Sequence, residues 1–566
     1  MMTTTDNELQ AETALVTVPA PVDRRADSVS VPMADGVRLA TDVYLPEPAG
    51  LRRPAVLVRL PYDKSGRYTF LPQIAARLTA YGFAAVVQDV RGKFRSEGDR
   101  VPFVNEAADG LATLDWIAAQ SWSNGVVGMI GDSYYGFTQW AAASTGHPAL
   151  RAIVPRVTGS EFFRMFAPDV VPKIPLFEWV VHTFSAPGML EHPYARFVEG
   201  RARYSVASQA PHVAGLLRDL VTGNADRSLV GRAYPQGTPA PRLTVPALHM
   251  GGWWDNLQRA QLDDWRRVAA SPAAAHQFLR MGASDHEDYR LHEDDEPHLD
   301  HEVDDEALRR YLDVMTADPL EFFDHYLRGR PGPWRAPRVR YEVANSAWCV
   351  ADRWAPGDAA VLVLSLDALE RATGSREGGS LVQGGPSRSS AAAWTHDPGQ
   401  PVPYLIKSEW GQCAHLPDEQ TVHDRPDVAT FTFEPQPDGY DIVGNVRAEL
   451  TVAASSPSTH VIARLLEVYP SGRARLIVEG AAPADTRHGD ARVSLDLGDT
   501  AYRVRPGHAL RLAVSTSCFP LYPVHPGTDA DLWDPAATAP AGQRLLSTPS
   551  APSVLRLPVR GLPQMR

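Results

Sequence analysis

Between residues 55 and 143 short apolar runs alternate with amphipathic or alanine-rich ones, and this alternation most narrows what the chain can fold into. Ala55–Leu60 and Ala84–Asp89 have the length and composition of buried strands. Between them, Ile74, Leu78 and Tyr81 recur at helical spacing across Gln73–Tyr81, and a second helix is expected over Glu106–Gln120. Gly125–Ile130 is again strand-like, and Phe137–Ala143 opens another helix. Strand, helix, strand, helix, strand predicts a parallel sheet with helices on both faces. Ligands bind such sheets at the carboxyl ends of the strands.

One of those strand ends reads Gly131-Asp132-Ser133-Tyr134-Tyr135-Gly136. A serine on a sharp strand-to-helix turn projects its hydroxyl clear of the sheet, and the peptide N–H groups of the opening helix point at whatever it attacks. The second glycine is displaced by one position, with Tyr135 where the usual elbow has glycine. Taken alone, the string fits a nucleophile and a plain Gly-Ser turn equally well.

The rest of the chain has a different texture. Before the alternation, Val29–Met33 and Val37–Leu45 read as strands joined by the turn Ala34-Asp35-Gly36. After Pro155 the pattern lapses, and aromatic and apolar positions at helical spacing (Phe162, Phe163 and Phe166; Phe177, Val180, Val181 and Phe184) predict a helical insertion, with a further short helix over Val213–Leu220. Strands return at Val245–Met250 and Gln277–Met281, followed by a helix over Ala307–Leu327 that Gly329 and Pro331 close. From about Val339 the chain turns to short alternating strands with Gly, Pro and Asp turns, the pattern of an all-β sandwich or jelly roll. Gly374–Ser390 is expected to be a long surface loop within it.

A chain of 566 residues is too long for a single core. Its three cysteines, Cys349, Cys413 and Cys518, suggest neither a disulfide framework nor a metal site. The net charge of −12 is concentrated: residues 285–306 hold twelve Asp or Glu and one Arg. With no basic stripe to neutralise phosphates, nucleic acid is not an expected partner. The acidic stretch reads first as a solvated loop, second as a rim attracting a cationic substrate. A metal site built from His286, His292, His298 and His301 is disfavoured by their irregular spacing. No apolar run approaches the roughly 20 residues that span a bilayer, and the start lacks a signal peptide, so a cytoplasmic protein without membrane partners is expected.

A serine hydroxyl needs a base, and the base an orienting carboxylate. In an α/β-hydrolase sheet these follow in the order Ser, acid, His, each after a strand. Here Gly251-Gly252-Trp253-Trp254-Asp255 follows one predicted strand and Gly282-Ala283-Ser284-Asp285-His286 the next, which nominates Asp255 and His286. Asp263 and Asp264, in the following helix, are expected at the surface. Asp285 is too close along the chain to face His286, and His249 and His276 are expected to be structural.

Together these landmarks resemble the cocaine esterase and X-Pro dipeptidyl-peptidase (CocE/NonD) family of serine hydrolases. The resemblance rests on Met33–Ala40, Pro61-Tyr62-Asp63-Lys64, Gln88–Gly98, Trp122-Ser123-Asn124-Gly125 with the elbow, Gly252–Asp255, Tyr326–Gly329 and Arg505–His508. It implies an α/β fold class: an α/β-hydrolase domain with an inserted helical cap and a C-terminal all-β jelly roll. The expected division is a flexible arm over 1–27, hydrolase domain over 28–158 and 242–335, cap over 159–241, and jelly roll over 336–566. The family implies Ser133 as nucleophile, His286 as base, Asp255 as its orienter, and an oxyanion hole formed by the Tyr62 hydroxyl and the Tyr134 N–H. Cap aromatics Phe162, Phe166, Phe177 and Trp179, with Trp254, are candidate walls of an acyl pocket. Many members carry an aromatic residue two positions before the histidine. Ser284 stands there in this chain, which predicts a more open or more polar wall beside His286.

The expected function is hydrolysis of an ester, or an amide, of a small acyl substrate through an acyl-enzyme. It calls for no metal or cofactor and is compatible with a homodimer. Acyl transfer or ring closure on the same triad, X-Pro or α-aminoacyl peptidase action, and a catalytically dead interaction module are the alternatives.

Overall fold

The computed structural model describes residues 26–66, 69–167, 171–184, 186–188, 232–234, 236–291, 305–332, 334–530, 532 and 537–562. The first half runs β1 (Asp27–Pro32), β2 (Arg38–Tyr44), β3 (Arg53–Leu60), α1 (Leu71–Ala80), β4 (Ala84–Asp89), α2 (Glu106–Ala119), β5 (Ser123–Asp132), α3 (Ser133–Ser144) and β6 (Leu150–Arg156). Helices α4 (Phe162–Phe166) and α5 (Ile174–Phe184) come next, then β7 (Ala247–Trp254), α6 (Gln258–Val268), β8 (Gln277–Asp285), α7 (Asp305–Leu327), β9 (Val339–Glu342) and β10 (Trp348–Ala351). These strands form one sheet in the order β1-β2-β4-β3-β5-β6-β7-β8-β9-β10, parallel from β4 to β9 and antiparallel at both edges.

The period of two along a strand divides the core between the sheet's faces. Ala55 and Leu57 of β3 pack with Leu114 and Ile117 of α2 and Trp140 of α3. Val56, Val58 and Leu60 pack with Leu71, Ile74 and Leu78 of α1 and with Phe322 and Phe323 of α7. Helices therefore cover both faces, which is why β3, β4 and β5 read as continuous apolar runs.

The second half is β-rich: β11 (Ala360–Asp367), β12 (Gly379–Gln383), β13 (Ser390–His396), β14 (Ala429–Phe433), β15 (Tyr440–Ala454), β16 (Ser458–Val468), β17 (Ala474–Asp485), β18 (Ala491–Val504), β19 (Ala509–Ser515), β20 (Ala541–Ser547) and β21 (Val554–Arg560). They pair in the order β13-β20-β15-β21-β11-β12-β14-β19-β16-β17, and β18 pairs with β15. The halves share a continuous core, in which Trp253, Tyr341 and Trp354 join residues such as Tyr502 and Leu476.

The structure corrects two expectations. Val339–Glu342 pairs in parallel with β8, so it extends the first sheet instead of opening the second. Its clean alternation suits an edge of either sheet, and local sequence does not choose between them. Gly374–Ser390 is not all loop, since β12 crosses it and pairs with β11 and β14. Gly379 hides the strand in composition, but a side chain there would collide with Phe431 and the Asp367 carbonyl. The helix expected over Val213–Leu220 lies outside the described residues.

Candidate active site

Ser133 joins β5 to α3 with φ +55°, a left-handed conformation that a non-glycine residue adopts only where its surroundings hold it there. Those surroundings explain both glycines of the motif. The Tyr135 ring lies over Gly131, where a Cβ would sit 2.2 Å from it, and a Cβ on Gly136 would meet Thr158 at 2.6 Å. The displaced glycine thus lets α3 approach the chain that follows β6. Thr158 Oγ1 in turn donates to the Ser133 carbonyl at 2.7 Å.

Asp255 follows β7 and His286 follows β8, and these neighbouring strands are in parallel register. His286 Nδ1 lies 2.7 Å from Asp255 Oδ1, and the carboxylate is fully buried. The same oxygen accepts from the Leu257 N–H at 3.1 Å. Burial alone would lower the imidazole pKa, but the charge and hydrogen bond of Asp255 outweigh it and leave the pKa raised. An imidazole held this way at Nδ1 has the arrangement in which Nε2 is suited to accept a proton.

Tyr62 stands just beyond β3. Its loop is fixed by Lys64, which is buried and paired with Asp42 at 3.0 Å and Asp89 at 3.7 Å. The Tyr62 hydroxyl bonds to the Ser133 side chain and accepts from Trp179 Nε1 at 2.9 Å. Burial pushes its pKa up to about 12, so the phenol keeps its proton as a donor at neutral pH. The Tyr134 side chain is tied elsewhere: its hydroxyl donates to Glu106 at 2.8 Å and accepts from the Phe103 N–H at 2.7 Å. The Tyr134 backbone N–H, at the start of α3, is the part suited to an oxyanion.

Ser133 and Tyr134 border a cavity of about 20 Å³ together with Phe103, Phe137, Met165, Phe166, Leu176, Trp179, Leu257 and Trp410. None of these side chains is charged. Phe166 and Trp179 are therefore at the wall, while Phe177 is fully buried behind Phe166, ring centroids 5.3 Å apart. The Phe162 side chain lies outside the described residues. Trp254 is a correction: it faces away from this cavity, against Tyr502 and the Leu476 carbonyl, where the two halves meet. It borders a separate polar cavity of about 60 Å³ that Asp255 and Asn256 also line.

The wall beside His286 is also not as expected. Ser284 is buried, and an aromatic ring still covers the imidazole, because Trp410 of the second half packs edge-on against it. The Trp410 segment is clamped to the histidine loop and to the chain just before α5. The Cys413 N–H donates to Asp285 Oδ2 at 2.7 Å, the Glu287 N–H to the Trp410 carbonyl at 3.2 Å, and Glu409 pairs with Lys173 at 2.7 Å. Asp285 also accepts from the N–H groups of Glu287 and Tyr289, so it shapes the loop that carries His286.

Two carboxylates flank the site without joining it. Asp132 and Asp288 are bridged by the buried Arg156, which lies 3.3 Å from Asp132 and in direct contact with Asp288. Tyr311 of α7 donates to Asp288 at 3.0 Å. Asp264 is not at the surface: it is buried, bonds the Ser160 N–H and hydroxyl, and has its pKa pushed up to about 7 by burial. Asp263 pairs with Arg164, and His249 is buried against Gln277, as a structural histidine would be. His292, His298 and His301 lie outside the described residues.

A cocaine esterase from Rhodococcus sp. is 31% identical over 545 residues, covering 88% of this chain and 91% of its own length. The chain belongs to the cocaine esterase and X-Pro dipeptidyl-peptidase family of serine hydrolases. Within that family, residues 35–288 match the X-Pro dipeptidyl-peptidase (S15 family) domain and residues 333–556 the X-Pro dipeptidyl-peptidase C-terminal non-catalytic domain. A putative serine esterase from Mycobacterium bovis is 26% identical over 89% of this chain and 92% of its own. The CocE/NonD fold is seen again in two solved structures. One is an aminopeptidase from a marine sediment archaeon, Thaumarchaeota archaeon (TM-score 0.75, 22% identity, 97% and 100% of the two chains). The other is an α-amino acid ester hydrolase (TM-score 0.72, 24% identity, 99% and 100%). This chain is accordingly an enzyme, a hydrolase of the CocE/NonD type. Among the described residues no helix is long and apolar enough to cross a membrane.

Proposed function

We propose that this hydrolase cleaves an ester, and more slowly an amide, of a small apolar acyl group through an acyl-enzyme on Ser133. The observation that carries the reading is the His286–Asp255 pair, 2.7 Å apart at the ends of adjacent strands, beside an elbow serine already bonded to Tyr62. His286 Nε2 takes the Ser133 proton as Oγ attacks the carbonyl. Asp255 holds the other ring nitrogen and stabilises the imidazolium. Tyr62 and the Tyr134 N–H receive the negative charge that develops on the carbonyl oxygen, and such a donor is worth about 3–4 kcal/mol. His286 then protonates the leaving group, and water repeats the sequence to release the acid.

Among the described residues the lining around Ser133 is uncharged, which favours a neutral acyl group over an aminoacyl one, since the latter would need a carboxylate at the ammonium. It supports the ester reading over X-Pro peptidase action, which is suggested by a putative Xaa-Pro dipeptidyl-peptidase from Streptomyces avermitilis at 24% identity over 72% of this chain. A fluorophosphonate probe is expected to label the wild type and not Ser133→Ala. In a panel of acyl p-nitrophenyl esters, α-amino esters and X-Pro amides, neutral esters should turn over fastest. A folded sample that escapes the probe overturns the reading. Faster turnover of X-Pro amides moves it to the peptidase, and an acylated acceptor among the products moves it to acyl transfer.

A further inference from the structure

The cap helix α5 does more than wall the cavity. Trp179 Nε1 stands 2.9 Å from the Tyr62 hydroxyl oxygen. An indole N–H can only donate, so the tyrosine oxygen is the acceptor in this bond. A phenol has one proton, and with an acceptor lone pair committed to Trp179 that proton is turned away from the indole. The other side-chain partner of the hydroxyl is Ser133, the side on which a carbonyl oxygen would develop charge.

We propose that Trp179 is a positioning residue, whose N–H fixes the direction of the Tyr62 proton and thereby sets the strength of the oxyanion hole. The inference rests on the proposed role of Tyr62 as an oxyanion donor. Charge in a chain of hydrogen bonds reinforces itself, so a donor behind the phenol oxygen makes its O–H a stronger donor in front. The indole itself is held from both ends of α5. At its start the Ile174 N–H donates to the Leu521 carbonyl at 3.0 Å and Lys173 pairs with Glu409 at 2.7 Å. At its end the buried Lys93 ammonium binds the carbonyls of Thr183, Ala186 (2.9 Å) and Gly188 (2.8 Å). Lys93 belongs to the hydrolase sheet's own segment after β4, so the helix carrying the indole is fastened to the scaffold that carries the tyrosine. Preorganised donors of this kind act without reorganising as the reaction proceeds.

The test is a double-mutant cycle on Trp179→Phe and Tyr62→Phe with a neutral p-nitrophenyl ester and its thiono analogue. Phenylalanine keeps an apolar ring against the cavity and removes the donor along with the second indole ring, and the double-mutant cycle separates the two losses. Trp179→Phe should lower kcat about fivefold to tenfold, the size of one hydrogen bond, with KM nearly unchanged. In the Tyr62→Phe background the same change should have almost no effect on kcat. Sulfur is a poor acceptor, so the preference for the oxo over the thiono ester reports the oxyanion hole, independently of enzyme concentration. It should shrink in Trp179→Phe. An equal loss in both backgrounds, an undiminished oxo-over-thiono preference, or a rise in KM alone overturns the inference and leaves Trp179 as a wall. If Tyr62→Phe by itself costs nothing, the oxyanion role of Tyr62 falls, and this inference with it.

Discussion

The indole of Trp410 meets the imidazole of His286 edge-on, with ring centroids 4.8 Å apart and planes inclined by 63°. A residue of the β-rich half therefore covers His286, which the first sheet carries. Because Trp410 also borders the Ser133 cavity, Trp410→Ala should admit water beside the imidazole and loosen the acyl wall. The expected result is a fall of about tenfold in kcat/KM for apolar acyl esters, the range of a truncated aromatic contact. Trp410→Phe should recover most of it. Steady-state kinetics across a series of acyl groups checks this.

Asp255→Asn removes the charge that keeps the His286 pKa above its ordinary value. A base works only when unprotonated, so activity should rise as pH increases through the raised pKa of the wild type. In the variant this limb should shift to lower pH, while the plateau falls by about 10³–10⁴ as the imidazole loses its orienting partner. A pH–kcat/KM profile for both enzymes decides it, and an unmoved limb would mean that Asp255 does not set the titration.

Arg156 is buried between Asp132 and Asp288, next to the elbow on one side and the histidine loop on the other. Arg156→Met would remove the cation shared by two partly buried carboxylates. The expected cost is about 1–3 kcal/mol of stability, read from denaturant unfolding, with activity lost through displacement of the loop. Adding Asp288→Leu should recover part of the stability.

Three histidines cluster between β13, β16 and the segment before β20. His460 and His525 are 5.0 Å apart by ring centroids, and His396 bonds the His525 carbonyl at 2.8 Å. Burial is the first cause lowering all three, to about 3 for His460 and about 4 for His525. A histidine whose folded pKa is depressed takes up its proton more readily in the unfolded chain. Its contribution is intact above the unfolded pKa near 6.5 and is lost as pH falls from there toward the folded value, by about 1.4 kcal/mol per pH unit for each such group. Tm should therefore drop steeply between pH 6.5 and 5. A flat Tm over that interval would mean that the cluster is already charged in the native state.

How much of this was legible in the sequence follows from the range of each interaction. The alternating strands, the elbow, and the placement of Asp255 and His286 after successive strands are local patterns, each written within a few residues. Helices α2 and α7 were also visible, the first as a helix expected over Glu106–Gln120 and the second from the stop signals Gly329 and Pro331. The second half hid its partners. Trp410 is brought to the site by long-range contacts such as that of the Cys413 N–H with Asp285, between residues 128 apart along the chain. Ser284 pointed to an open wall because the ring that covers His286 is not supplied by its own loop. Trp254 looked like a pocket residue from its place beside Asp255. In a strand, though, successive side chains face opposite ways, so the neighbour of a site residue turns toward the other layer.

The clamp around Trp410 also bears on how such enzymes diverge. Glu409 and the Cys413 N–H are committed to Lys173 and Asp285, and so fix this segment against α5 and the loop that carries His286. The ring between them touches the imidazole and the acyl cavity and bears none of that anchoring. On the proposed mechanism, a lineage could alter which acyl groups it accepts by exchanging this one side chain, on a loop far from Ser133 in sequence, without touching the residues beneath it.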